Sequence, residues 1–166
     1  MHVPRAELRA TLARGLSHFT HAQLASYAAA VNATYPEAQL AELEQRHPTA
    51  IDLGLDRCGE VASRLHLVVS TATTITVAGT NGKGSTVAMM EALLCEQGVS
   101  CGAFTSPHLI KYNERIRVNG LEVEDSLIVR ACEAIEAARG EISLTYFEFG
   151  ALAALWVFNA LGVEYQ

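Results

Sequence analysis

In the stretch AGTNGKGST, residues 78 to 86, Lys83 stands between Gly82 and Gly84, with Gly79 upstream and Ser85 and Thr86 behind it. Glycines carry no Cβ, so the backbone can turn sharply there and bring its N–H groups against phosphate oxygens. Lys83 adds a full positive charge, and Ser85 or Thr86 offers a hydroxyl to a magnesium ion or a phosphate. Such a set suits a nucleoside triphosphate. The general phosphate-loop spacing G-x-x-x-x-G-K-[ST] is nevertheless not met: its first glycine falls on Val77, and Gly84 follows the lysine where Ser or Thr is expected. Taken alone, G-K-G also suits a plain glycine-rich turn with an exposed lysine. Its position, after a β-branched run and before an apolar helical pattern, favours phosphate binding.

The elements that must hold this loop alternate between helix and strand. TTITVAG predicts a buried strand, and Ser85 to Gln97 a helix stopped by Gly98. A helix beginning near Ser85 points its unpaired amides and positive dipole end at the same anion. VSCGAFT predicts a second buried strand; NERIRVNG alternates polar and apolar positions and ends on Asn119-Gly120, a hairpin turn signal with LEVE behind it. Asp125 to Arg139 is expected as a helix facing inward through Leu127, Ala131, Ile135 and Ala138, with Gly140 at its end. The last helix is expected over about Tyr146 to Leu161, and VEYQ starts a strand. Upstream, PEAQLAELEQRH and IDLGLDRCGEVASRLHL both show helical spacing, the second with Leu55, Cys58, Ala62 and Leu65 on one face and Asp52 near its start. The order strand, glycine loop, helix, strand predicts an α/β fold with a mostly parallel sheet and flanking helices. The loop then sits at the carboxyl end of a strand, where such sheets bind ligands.

Composition narrows the partners. Twelve basic against eighteen acidic residues give a net charge of −6, so no long-range field draws the chain to nucleic acid or anionic lipid, and a phosphate must be held locally. Cys58, Cys95, Cys101 and Cys132 show neither C-x-x-C nor metal-ligand spacing and fit small buried hydrophobes in a reducing compartment. The most apolar run, Phe149 to Val163, falls short of the roughly 20 residues a membrane span needs. A cytoplasmic chain is therefore expected, with no membrane partner and a monomer as the default. Arg5, Arg9 and Arg14 faintly suggest a transit peptide, but an ordinary extension is favoured.

The variant loop AGTNGKGST resembles the ATP loop of the Mur ligase superfamily. The segments HPTAIDLGLDR, FTSPHLIKYNERIRVNG, IEAARGEISLTYFEFG and ALAALW narrow the resemblance to the folylpolyglutamate synthase and dihydrofolate synthase family. It covers about residues 40 to 166. The resemblance implies a Mur ligase-like ATP-binding domain of P-loop type and an ATP-dependent carboxylate–amine ligase that uses ATP and Mg2+. Its reaction would join L-glutamate to dihydropteroate or to folyl(poly)glutamates through an acyl phosphate. Phosphorylation turns a carboxylate, whose leaving group would be an oxide, into an electrophile whose leaving group a magnesium ion stabilises.

Residue by residue, the resemblance matches Thr80, Asn81, Gly82, Lys83, Gly84 and Ser85 to the ATP loop, with Lys83 as the catalytic candidate. It matches Ser106 of TSPH to a magnesium ligand. Ile51, Asp52 and Leu53 match one pterin-contact segment, and Thr145, Tyr146, Phe147 and Glu148 match a second. On residue type alone Asp52 suits a helix cap, Thr105-Ser106-Pro107 a turn, and the aromatics around 146 to 149 a core. Glu148, opening so apolar a helix, needs a partner. His108, Lys111, Arg115 and Arg117 are expected on a solvated basic face. Residues 1 to 35 are expected to be an extension of unclear role, and 36 to 166 the first portion of the ATP-binding domain, without the C-terminal glutamate-ligase domain that family members carry. A chain so truncated is expected to be inactive by itself. The alternatives are a nucleotide-binding P-loop module, a stand-alone phosphotransferase or ATPase, and a decayed remnant without ligase activity.

Overall fold

The computed structural model describes residues 54–166. The helix expected over PEAQLAELEQRH, the extension before it, and Ile51, Asp52 and Leu53 lie outside the described residues. Helix α1 spans Asp56–Arg64, α2 Lys83–Glu96, α3 Asp125–Arg139 and α4 Tyr146–Leu161. Strands β1 (Gly102–Phe104), β2 (Ile116–Val118) and β3 (Leu121–Glu122) follow α2, with a 3-10 turn over Tyr112–Arg115 before β2.

Local chemistry sets the helix ends. At the start of α4 the Thr145 hydroxyl accepts from the Glu148 N–H at 3.2 Å, and the Glu148 carboxylate accepts from the Thr145 N–H at 2.8 Å. This reciprocal box satisfies two donors that a helix start leaves open. Gly162 closes the same helix at φ 62°. The expected bounds of α3 and α4 are those observed. The inward face of α3 is turned slightly from the expected one: Ile128, Ala131, Cys132 and Ile135 are buried, while Leu127 and Ala138 only border the core. On α1 the buried residue is Val61, and Leu55, expected to face inward, lies one residue before the helix and is 81% exposed.

Helices α1, α3 and α4 pack on one another and enclose a core with Ile116, Phe149, Leu152 and Val157 fully buried. β1 joins this core to α2. Two glycines permit the closeness. A Cβ on Gly150 would meet the Tyr112 hydroxyl at 2.6 Å, and one on Gly102 would lie within 2.7 Å of the Phe158 ring. The hairpin β2–β3 turns on Asn119 and Gly120 at φ 52° and 78°, the paired positive values that a tight two-residue turn needs, as the Asn-Gly signal predicts.

The sheet differs from the expectation of a mostly parallel one. Among the described residues the named strands pair antiparallel, in the order β1-β2-β3. Parallel pairing is confined to two bridges, from Tyr165 to Thr73 on one side and to Cys101 on the other. Backbone hydrogen bonds carry it: Thr73 N–H to Glu164 O at 2.8 Å, Ile75 N–H to Gln166 O at 2.7 Å, and Gly102 N–H to Tyr165 O at 2.8 Å. The TTITVAG segment is thus not a buried strand. Only Thr73 is bridged, and residues 73 to 76 are exposed, with Thr74, Ile75, Thr76 and Val77 lining an open cavity. Among the described residues no helix is long and apolar enough to cross a membrane.

Candidate functional site

The phosphate-loop candidate is shaped by its glycines. Gly82 sits at φ 76°, immediately before α2, and Gly79 at φ 148°. Both angles are left-handed values that side-chain-bearing residues avoid. No atom lies within 4 Å of where a Cβ would stand on Gly82 or Gly84, so at Gly82 the glycine serves backbone conformation, and both leave that face open. The chain then enters α2 through two bonds to one carbonyl: Gly82 O accepts from the Thr86 N–H at 2.9 Å and from the Thr86 hydroxyl at 3.0 Å. Thr86 is thereby engaged with the backbone, while Ser85 is exposed. Lys83 folds back over the loop, its Nζ donating to Gly79 O at 2.6 Å and to Thr80 O at 3.5 Å. An ammonium held this way keeps its charge inside the curve of the backbone amides.

A cavity of about 500 Å3 opens beside this loop. Lys83 and Gly84 line one side, Thr105 and Ser106 another, and Phe147, Ala151 and Leu155 of α4 the third. The volume lies within the ordinary range of small-molecule pockets. Phe147 is 57% exposed, and its ring lies 5.8 Å from that of Phe104, tilted by 44°. The structure therefore brings together Lys83, Gly84, Ser106 and Phe147 of the expected site. Thr80, Asn81 and Ser85 are exposed on the loop and do not line the cavity.

The rest of the second expected contact segment is differently employed. Thr145 is buried as the cap of α4. Tyr146 is half-buried, its ring edge-on to Tyr112 at 6.1 Å. Glu148, 8% exposed, accepts from Arg57 Nη2 at 3.2 and 3.4 Å as well as from the Thr145 amide. Its partner is thus a cation from α1 together with the helix start. Sequence reasoning left Arg57 out: the two residues are 91 positions apart, and no local spacing signals such a pair.

The basic residues after Ser106 also depart from expectation. Arg115 and Arg117 are half-buried and partnered, where a solvated face was expected. Arg115 donates through Nε to His108 Nδ1 at 2.8 Å and lies over the Tyr112 and Tyr146 rings at 5.6 and 5.2 Å. Arg117 binds Glu91 of α2. Lys111 is exposed as expected. The loop they flank is gathered by Glu114, whose carboxylate accepts from the N–H groups of Leu109, Ile110 and Lys111 at 2.8, 2.7 and 2.8 Å. Burial by itself would raise the Glu114 pKa, but these three amides and, to a lesser degree, His108 together hold the carboxyl below its ordinary value.

Three of the thiols, Cys58, Cys101 and Cys132, are held above their ordinary range. Burial pushes Cys132 up to about 12, with Glu136 and Glu133 adding to it, and Cys101 up to about 11, where a hydrogen bond with Cys95 adds. Cys58 is raised by burial and then by Glu148. A protonated thiol is a poor nucleophile and a poor metal ligand. All four cysteines are free, with Cys95 and Cys101 Sγ atoms 3.7 Å apart.

Nucleotide and metal fit this donor set together. Among the described residues no three His, Cys, Asp or Glu side chains converge as a metal cage. The cavity instead has Ser106, a hydroxyl-bearing residue, and Lys83 among its lining. Magnesium keeps several waters and commonly takes few protein ligands beside substrate phosphates, so a lone hydroxyl beside a phosphate loop suits it.

The chain is similar to dihydrofolate synthase/folylpolyglutamate synthases. It is 49% identical over 120 residues to the dihydrofolate synthase/folylpolyglutamate synthase of Escherichia coli K12, matching 72% of this chain and 28% of that protein. Among solved structures, E. coli FolC in complex with DHPP and ADP superposes with a TM-score of 0.76 at 45% identity, covering 80% of this chain and 32% of that one. The Yersinia pestis bifunctional synthase complexed with AMPPNP and Mn ion superposes with a TM-score of 0.75 at 44% identity, with the same 80% and 32% coverage. The chain thus spans about a third or less of the synthases it matches. No protein-family model matches the sequence.

Proposed function

We propose that these residues form the nucleotide-binding and pterin-facing part of an ATP-dependent carboxylate–amine ligase of folate metabolism. The reaction would join L-glutamate to dihydropteroate, to folyl(poly)glutamates, or to both. The observation that carries this reading is the cavity in which Lys83, Gly84, Ser106 and Phe147 meet. The similar synthases were solved with ADP, AMPPNP, Mn and DHPP, ligands of the same chemistry.

In this reading Thr80, Asn81, Gly82, Lys83, Gly84 and Ser85 hold the phosphates through backbone amides and the Lys83 ammonium. Ser106 gives a hydroxyl oxygen to the divalent ion. The ion supplies charge neutralisation at the transferring phosphoryl group. Lys83 acts where negative charge grows during transfer, from a position already set by its bonds to Gly79 and Thr80, so little reorganisation is needed when charge develops. Phe147 offers a ring face to a flat heterocycle, and Thr145 and Glu148 fix the helix start that presents it. Arg57 keeps Glu148 in that role. Ile51, Asp52 and Leu53 complete the pterin contact, and the product of the first step is an acyl phosphate open to the amino group of glutamate. The loop, α2 and the parallel bridges at Tyr165 support a P-loop-type, Mur ligase-like arrangement, with residues 36–166 as its first portion and 1–35 as an extension.

The decisive experiment is equilibrium binding of MgATP to the chain by calorimetry, with Lys83→Ala alongside. The variant is expected to lose roughly 10- to 100-fold in affinity, the worth of one or two charge-assisted hydrogen bonds, with an unchanged melting temperature because Lys83 is exposed. Equal binding by both proteins, or none by the wild type, defeats the reading. A pteroate analogue that binds the wild type and loses affinity in Phe147→Ala supports the pterin-facing side.

A further inference from the structure

Among the fourteen residues of α2 the one buried side chain is charged. Glu91, 8% exposed, receives Arg117 of β2 in a two-pronged grip: Nη2 donates to Oε2 at 2.8 Å and Nε to Oε2 at 3.0 Å, with Oε1 at 3.4 Å from Nε. The same guanidinium donates through Nη1 to Thr105 Oγ1 at 3.3 Å and to Glu114 O at 3.0 Å. One planar cation therefore ties together the helix that begins with Lys83, the residue covalently next to Ser106, and the turn whose Glu114 gathers the loop after Ser106.

We propose that the Arg117–Glu91 pair is a positioning device that sets the phosphate loop against the Ser106 loop, so that nucleotide and divalent ion are bound cooperatively. The inference rests on the nucleotide-and-metal reading given above. Glu91 lies eight positions after Lys83, about 12 Å along the helix, so a change of tilt at Glu91 carries directly to the loop. Met89 and Leu93 of α2 are largely exposed and give the helix no packed wall on their side. Among the named elements the helix packs chiefly on β1, and Arg117 adds an ion pair to its one buried side chain. A guanidinium is suited to the task because its donors are fixed in a plane; a lysine would supply charge without the fork. Neither Arg117 nor Glu91 lines the 500 Å3 cavity, so neither is assigned a contact with ligand.

The test compares ADP affinity with saturating Mn2+ and with EDTA, for the wild-type chain and for Glu91→Gln, Arg117→Lys, Arg117→Ala and the charge-reversed pair Glu91→Arg with Arg117→Glu. The single variants are expected to lose roughly tenfold of the Mn2+-dependent gain, while metal-free ADP affinity changes by less than about threefold, a size ordinary for coupling between two sites. Reversing the charges should restore part of the gain that Arg117→Ala loses. Variants that keep the wild-type gain overturn the inference and leave the nucleotide reading standing. So does a parallel fall in both affinities together with the melting temperature, which marks a merely structural pair. A wild-type chain that binds no ADP removes the nucleotide reading and this inference with it.

Discussion

Helices α2 and α4 are both apolar and of similar length, 14 and 16 residues, yet they meet opposite surroundings. α4 buries Phe149, Leu152, Val157 and Phe158 against α1, α3 and β1. α2 buries only Glu91, and its Met89 and Leu93 are 68% and 66% exposed. The lesson is that apolar composition specifies that a face can be covered, not what covers it. α4 is held by close packing, whereas α2, with Val87, Met90, Leu94 and Cys95 only half-buried, relies more on directional bonds at its start and at Glu91.

This contrast can be broken or sharpened by substitution. The largest effect is expected in α4: Phe149→Ala should cost about 3–5 kcal/mol of unfolding free energy in a denaturant titration, because the ring is 1% exposed and its neighbours cannot collapse fully. A loss below about 1 kcal/mol, the size of a surface change, would mean that α4 is not the better-held helix. Next comes Gly82→Ala, which forces a Cβ into the left-handed region at φ 76° and should cost roughly 1–2 kcal/mol. Since nothing lies within 4 Å of that Cβ, the cost is conformational, and MgATP affinity should fall with it. Retained stability and affinity would show that the loop tolerates another shape.

A smaller effect is tied to pH. Because the Glu114 carboxyl is held below its ordinary value, its stabilisation is fully present above the ordinary carboxylate range and is lost as pH falls through the depressed folded value. Melting temperatures measured downward from pH 6 should therefore drop less steeply for Glu114→Gln than for the wild type. Parallel profiles would mean that the three loop amides do not draw on its charge. The smallest effect belongs to the exposed side of α2: Leu93→Lys should change stability by less than about 0.5 kcal/mol. A loss comparable to that of Phe149→Ala would erase the distinction between the two helices.

What was legible in the sequence follows the same divide. The bounds of α3 and α4 could be read because they depend on local chemistry: Thr145 and Glu148 at one start, Gly140 and Gly162 at the ends. Asn119-Gly120 announced its hairpin for the same reason. The sharp turn into α2 was legible through its glycines, of which Gly79 and Gly82 take positive φ. What stayed hidden was non-local. TTITVAG has the composition of a buried strand, yet its exposure is decided by the cavity beside it and by a partner segment far along the chain. The pairs Arg57–Glu148 and Glu91–Arg117 span 91 and 26 positions. Charges so placed look like solvated surface until the fold brings them together, which is why Arg115 and Arg117 were expected in solvent.

The two bridges at Tyr165 carry one more consequence. The segment leading into Gly79 is paired along Thr73 and Ile75 with residues 164 to 166, and Gln166 Nε2 reaches the Thr74 hydroxyl across 92 positions at 2.9 Å. Closing so long a loop is entropically expensive, and contacts of that separation form late on a folding pathway. Helices α3 and α4, adjacent in sequence, can dock first. The segment before Gly79 would then take its register from a part of the molecule already assembled, so that order of assembly, and not only final geometry, would link the core to the glycine loop.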